Sequence, residues 1–191
     1  MVLRIVKTLI VIVLLTITMQ AQMFKVSLGP EFSNPKGDFN YWYEMGYGAS
    51  AQIEYQVLSR MSLTLNSSYG YWHGDEDLIY RYLKNKSYSV NSVSTSLGIK
   101  THITENFYAA GEIGYHYLFS NTEILPGNEL LKEEILIKKS LSHFGQGIAI
   151  GFEKPLNNNL FLDGSVKYSF VPGEAYTYNR VTTRIALSYQ F

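Results

Sequence analysis

The stretch RVTTRIALSYQF, residues 180–191, alternates with a period of two. Val181, Thr183, Ile185, Leu187, Tyr189 and Phe191 make an apolar or β-branched series, and Thr182, Arg184, Ala186, Ser188 and Gln190 a polar or small one between them. Successive side chains of a strand point to opposite faces. This is therefore a strand with one face suited to hydrocarbon and the other to water or a polar partner. Whether it closes a barrel depends on the segments upstream.

Those segments repeat the pattern. Strands are expected over residues 24–32, 43–57, 61–72, 88–103, 107–119, 143–153 and 160–170, each with an apolar outward series and a Gly/Ser/Thr/Gln or charged inward series. In the fifth, Phe107, Ala109, Gly111, Ile113, Tyr115, Tyr117 and Phe119 alternate with Tyr108, Ala110, Glu112, Gly114 and His116. Pro30 removes a ladder donor from the first strand, so a bulge or weakened pairing is expected there. The connections alternate long and short. Asn34 to Asp38, the region 73–87, the region 120–142 and the segment opened by Val171-Pro172-Gly173 are the long ones; Leu58-Ser59-Arg60, Thr104-Glu105-Asn106 and Pro155 to Asn159 are tight turns. In the third long loop, residues 129–139 read either as a short amphipathic helix or as a strand extension.

Eight strands with this rhythm predict an all-β protein, an eight-stranded antiparallel up-and-down transmembrane β-barrel. An even strand count places both termini on one side, the periplasm, and the long loops outside the cell. Outward aromatics support this reading. Tyr69, Tyr71, Tyr115, Tyr117, Phe119, Tyr168 and Phe170 fall at the loop ends of the strands, Phe24, Tyr55, Phe107, Phe152, Tyr189 and Phe191 at the turn ends, and mainly aliphatic residues lie between. Two aromatic girdles around an aliphatic belt fit the two interfaces of a membrane. A soluble barrel of the lipocalin kind has its large apolar side chains inside, the reverse of this pattern.

The strand pattern, the loop order and the terminal Tyr189/Phe191 resemble the small outer-membrane barrels of the OmpA/OmpX type, in the Tyr-rich form common in Bacteroidota. The resemblance implies that Tyr189 and Phe191 belong to the signal read by the barrel-insertion machinery, and that outer-membrane lipid and lipopolysaccharide surround the wall. Because the chain ends on the eighth strand, no OmpA-like peptidoglycan-binding domain is expected after it.

Composition agrees. The chain has 191 residues with 16 Tyr, 10 Phe, 15 Gly and no cysteine, so a disulfide framework is impossible. Residues 1–21 carry Arg4 and Lys7 ahead of an apolar run from Leu9 to Thr18 and end on Met19-Gln20-Ala21, the arrangement of a secretory signal peptide cut before Gln22. The barrel domain is then 22–191. Removing Arg4 and Lys7 leaves 14 basic against 16 acidic residues, a balance that gives nucleic acid no reason to bind.

An eight-stranded barrel has an interior that side chains fill. Inward charges by period are Lys25, Glu31, Glu44, Glu54, Lys100, Glu112, Asp163, Lys167 and Arg184, a near-balanced set that predicts internal ion pairs. Glu31, Lys167 and Arg184, each seven residues from the turn end of neighbouring strands, are expected to touch. Such pairs either only neutralise buried charge or form the gated ion path that the resemblance allows.

His73 with Asp75 and Asp77 has the donor types for a divalent cation, but three ligands on a polar loop make a poor site. His102 and His116 lie near opposite ends of adjacent strands. No metal, cofactor or catalytic group is expected. The function expected is non-enzymatic, a structural or adhesive role in the envelope through loops that meet lipopolysaccharide or an extracellular partner. The alternative is a lipid A acyl-modifying enzyme on the same barrel. Resemblance to the lipid A deacylase type of barrel would imply a His and a Ser on an outward face, where this chain shows chiefly Asn91, Thr95 and Gln146, with His143 at a strand edge.

Overall fold

The computed structural model describes residues 24–74, 86–124, 135–173 and 177–191. The segment expected to be a signal peptide, Asp75, Asp77 and part of the third long loop lie outside them. Eight strands follow in chain order: β1 (Phe24–Lys36), β2 (Gly46–Leu58), β3 (Met61–His73), β4 (Lys86–His102), β5 (Phe107–Ile124), β6 (Ile135–Pro155), β7 (Leu160–Phe170) and β8 (Asn179–Gln190). Each pairs antiparallel with its neighbour, and β8 returns to β1, closing the barrel. Closure leaves no edge strand, so no row of unpaired backbone N–H and C=O groups faces an apolar solvent.

The faces fall as the period predicts. Leu63, Ile113, Ile150 and Leu187 are 49%, 55%, 68% and 53% exposed on the outer wall. Ser27, Glu54, Thr64, Ser94, Lys100, Asp163 and Ser188 are buried inside. A continuous apolar outer surface on this scale has no place in water and requires lipid. Every aromatic residue assigned to the two girdles stands on that outer face, and Tyr47–Tyr71, Phe24–Tyr55 and Phe107–Phe152 pack as cross-strand pairs.

Local chemistry sets the turns. Thr104 Oγ1 accepts the N–H of Phe107 at 3.1 Å, and Asn157 Oδ1 accepts those of Asn159 and Leu160 at 2.9 and 2.8 Å. Phe191 N–H donates to the Phe24 carbonyl at 3.1 Å, so both ends of the described barrel lie at its turn end. Pro30 weakens pairing as expected. β1 and β8 pair at Leu28–Leu187 and again at Glu31–Arg184, and the ladder skips Gly29 and Pro30 between them without losing register.

Two differences from the sequence reading concern the loop end. β1 runs through Asn34 and Pro35 to Lys36, and β5 and β6 extend to Ile124 and from Ile135, so residues 135–139 continue a strand. Between the loop expected to end at Asp38 and the strand expected from 43, the chain forms a single helical turn, α1 (Asp38–Trp42). It opens at Gly37, whose φ of 61° suits a residue without Cβ. β2 accordingly starts at Gly46. Glu44, assigned inward, is exposed, because it lies in the irregular segment between α1 and β2, where the two-residue period of the strand does not hold.

Candidate functional site: the barrel interior

The inward charges gather towards the turn end. Lys100, 1% exposed, sits at the centre: its Nζ is 2.6 Å from Glu153 Oε2, 2.9 Å from Glu54 Oε2 and 3.6 Å from Asp163 Oδ2. Lys25 Nζ reaches the other oxygen of Glu153 at 2.5 Å and lies 4.3 Å from the Phe161 ring centre. Tyr108 donates to Asp163 Oδ1 at 3.0 Å, and its ring lies 4.2 Å from Lys100 Nζ. Arg184 Nη1 donates to Gln52 Oε1 at 2.7 Å and is 3.9 Å from Asp163 Oδ1. Lys25, Lys100 and Arg184 thus oppose Glu54, Glu153 and Asp163, three cations with three carboxylates. Within a buried site this balance keeps each charge from being left uncompensated.

A second layer lies nearer the loops. Lys167 Nζ pairs with Glu112 Oε1 at 2.9 Å, and Asn66 donates to Glu112 Oε2 at 3.0 Å. Hydroxyl pairs Ser27–Ser188, Ser68–Ser94 and Ser33–Thr182 join adjacent strands at 2.7, 2.7 and 2.9 Å. A cavity of about 50 Å³ between the layers is bordered by Glu31, Gln52, Glu112, Lys167 and Arg184. A recess of about 290 Å³ opens at the turn end beside Lys25, Glu54, Arg60, His102 and Glu153.

The expected trio of Glu31, Lys167 and Arg184 is only partly brought together. Glu31 faces Arg184 across β1 and β8, but stagger puts Ser165 opposite Arg184 and Thr182 opposite Lys167. Among the described residues, Lys167 therefore forms its ion pair with Glu112 and Arg184 with Asp163. Equal counting from strand ends fails because tilted strands shift against one another around a barrel.

Glu153 is the residue that sequence reasoning missed. It bridges Lys25 and Lys100, and the inward series Gly145, Gly147, Ala149, Gly151 already pointed to it by period. Arg180 was overlooked in the same way, two steps before Thr182 and Arg184, as was Trp72, two steps after Gly70.

Above the charged layers the interior turns apolar. Phe39 of α1, Tyr43, Trp72, Val90 and Leu118 form a buried cluster inside the loop end, with Tyr178 against it. Phe39 meets Trp72 and Tyr178 edge-on, with centroids 5.6 and 5.7 Å apart. Asp38 Oδ2 accepts from both the N–H and the hydroxyl of Thr177 at 3.1 Å, tying α1 to the segment before β8. The loop end is stoppered by side chains of the chain itself.

A closed eight-stranded antiparallel barrel with an apolar wall and an ion-paired interior is the fold of the small outer-membrane β-barrels of the OmpA/OmpX type. No protein-family model and no curated protein sequence matches the chain. Solved structures do. Ail, the attachment invasion locus protein of Yersinia pestis, superposes with a TM-score of 0.57 at 16% identity over 88% of this chain and 97% of Ail. A major outer membrane protein from Thermus thermophilus gives 0.55 at 13% identity over 87% of this chain and 99% of that one. Ail has also been solved with the heparin analogue sucrose octasulfate, and that structure matches at 15% identity with a TM-score of 0.57. At these identities the likeness is one of fold.

Proposed function

We propose that the chain is exported on its N-terminal leader, inserted into the outer membrane with the tight turns in the periplasm, and acts through its long loops as a non-enzymatic adhesion or envelope-stabilising protein. The observation that carries this reading is the double closure of the interior. The Lys100-centred cluster crosses the barrel near the turns, and the Phe39/Trp72 cluster fills it near the loops. A lumen filled at both levels is unsuited to solute passage, which leaves the wall and the loops as working surfaces. The binding of a polysulfated sugar by the similarly folded Ail supports a surface ligand for the loops, and lipopolysaccharide supplies comparable anionic sugar chemistry. On the outer wall Asn91 is engaged by the Tyr69 hydroxyl, which supports the non-enzymatic reading over lipid A modification.

Sidedness gives the test. The chain has no cysteine, so single cysteines at Glu129 in the third long loop and at Asn158 in a tight turn are unique labels. On intact cells a membrane-impermeant maleimide is expected to label Glu129→Cys and spare Asn158→Cys. The opposite pattern, or rapid swelling of sugar-loaded liposomes carrying the protein, overturns the proposal.

A further inference from the structure

We propose that the barrel holds a small monovalent anion, chloride in the cell, on Arg180 just beneath the aromatic stopper. Arg180 is 4% exposed, and among the described residues it has no carboxylate within ion-pair distance. Its Nη2 is 3.5 Å from His116 Nδ1, and its guanidinium carbon lies 5.2 Å from the centre of the Trp72 ring. Neither partner carries negative charge. Glu112 is engaged by Lys167 and Asn66. Glu31, and more weakly Glu112, act on the guanidinium through space, but neither carboxylate reaches ion-pair distance. A buried guanidinium that no carboxylate touches leaves its N–H donors open, and a small anion in contact is the companion that offsets its desolvation.

The groups around it are complementary to one. A guanidinium has no acceptor, so His116 Nδ1 must accept and the ring proton resides on Nε2. Trp72 Nε1 and Ser169 Oγ are buried without a hydrogen-bond partner, and so is His143 Nε2. Ser169 stands opposite Arg180 on β7 and His143 opposite His116 on β6, so each flanks one side of the Arg180–His116 contact. The indole N–H and the hydroxyl, buried donors left open in this way, call for a bound water or ion, and the adjacent cation selects the anion. Crowding limits its size. A Cβ at position 145 would lie 2.8 Å from Val171 Cγ2 and 2.9 Å from His116, and one at position 46 would overlap the Trp72 ring. A monatomic ion fits such surroundings better than a sulfate or a sugar carboxylate.

The test uses Trp72 as reporter. The chain has two tryptophans, so Trp42→Phe leaves Trp72 alone. The variant is refolded in detergent micelles with sodium gluconate and titrated with sodium bromide, a heavy-atom quencher, and parallel samples are refolded in bromide. Quenching is expected to saturate, to be reversed by chloride and to need about tenfold more bromide after Arg180→Gln, the factor that 1.4 kcal/mol represents. Ser169→Ala, which keeps the cation, is expected to shift it by less. Quenching that rises linearly without saturation, or that chloride does not reverse, overturns the site in the parent variant alone, whether or not Arg180→Gln folds. None of these readouts depends on membrane sidedness or on solute passage.

Discussion

Lys100 and Glu153 are 53 positions apart in the chain and meet inside the barrel with Nζ 2.6 Å from Oε2. β4 and β6 are not neighbours in the sheet. The contact therefore crosses the lumen, and with Glu54 and Asp163 on the same ammonium it ties four strands together through one side chain.

Lys100→Met removes that tie and leaves three carboxylates facing one another. Breaking a buried ion pair from one side costs about 3–5 kcal/mol. The midpoint of urea unfolding in micelles, followed by the heat-modifiable band shift, is expected to fall accordingly. Adding Glu153→Gln and Glu54→Gln is expected to recover part of the loss, since the orphaned charge is what costs most. Equal midpoints for Lys100→Met and the parent contradict the central role of the cluster.

The aromatic stopper is expected to contribute both stability and closure. Phe39→Ala empties the centre of the Phe39/Trp72/Leu118 cluster, and truncating a buried Phe costs about 3–5 kcal/mol. Acrylamide quenching of Trp72 in the Trp42→Phe background is expected to rise as water enters from the loop end. Unchanged accessibility shows that Phe39 is not what seals the mouth.

Sidedness of the wall predicts opposite responses to one charge. Arg in place of Ile148 or Ile185, each midway between the two aromatic girdles on the exposed aliphatic belt, is expected to cost about 2–4 kcal/mol in bilayers, the penalty for a cation near the membrane midplane. Refolding yield and unfolding midpoint in lipid vesicles measure it. In detergent-free water the parent itself is expected to aggregate through this surface.

Gly29 and Gly164 separate crowding from tolerance. A Cβ at Gly29 would overlap the Ile185 carbonyl oxygen and lie 2.5 Å from Ala186 Cα, at the place where the β1–β8 ladder is already interrupted. Gly29→Ala is expected to destabilise the seam by at least the roughly 1–3 kcal/mol of an overpacked site. At Gly164 a Cβ meets nothing within 4 Å, so Gly164→Ala is expected to stay within about 0.5 kcal/mol of the parent.

What the chain alone determined is sidedness. A period of two assigns every second residue to one face, so the outward set from Phe24 to Phe191, the inward identity of Lys25, Glu54, Lys100 and Asp163, and the eight-strand count follow from local pattern. The tertiary structure decided the partners. Stagger between tilted strands moved Lys167 from Arg184 to Glu112 and brought Glu153 to Lys100 across the lumen, because register depends on hydrogen-bonded neighbours that no single strand encodes. The helical turn at Asp38–Trp42, and with it the stopper, was equally hidden. Its Phe39 is held by burial against Trp72, Val90 and Leu118 of β3, β4 and β5, a long-range packing gain that overrides the local preference for loop.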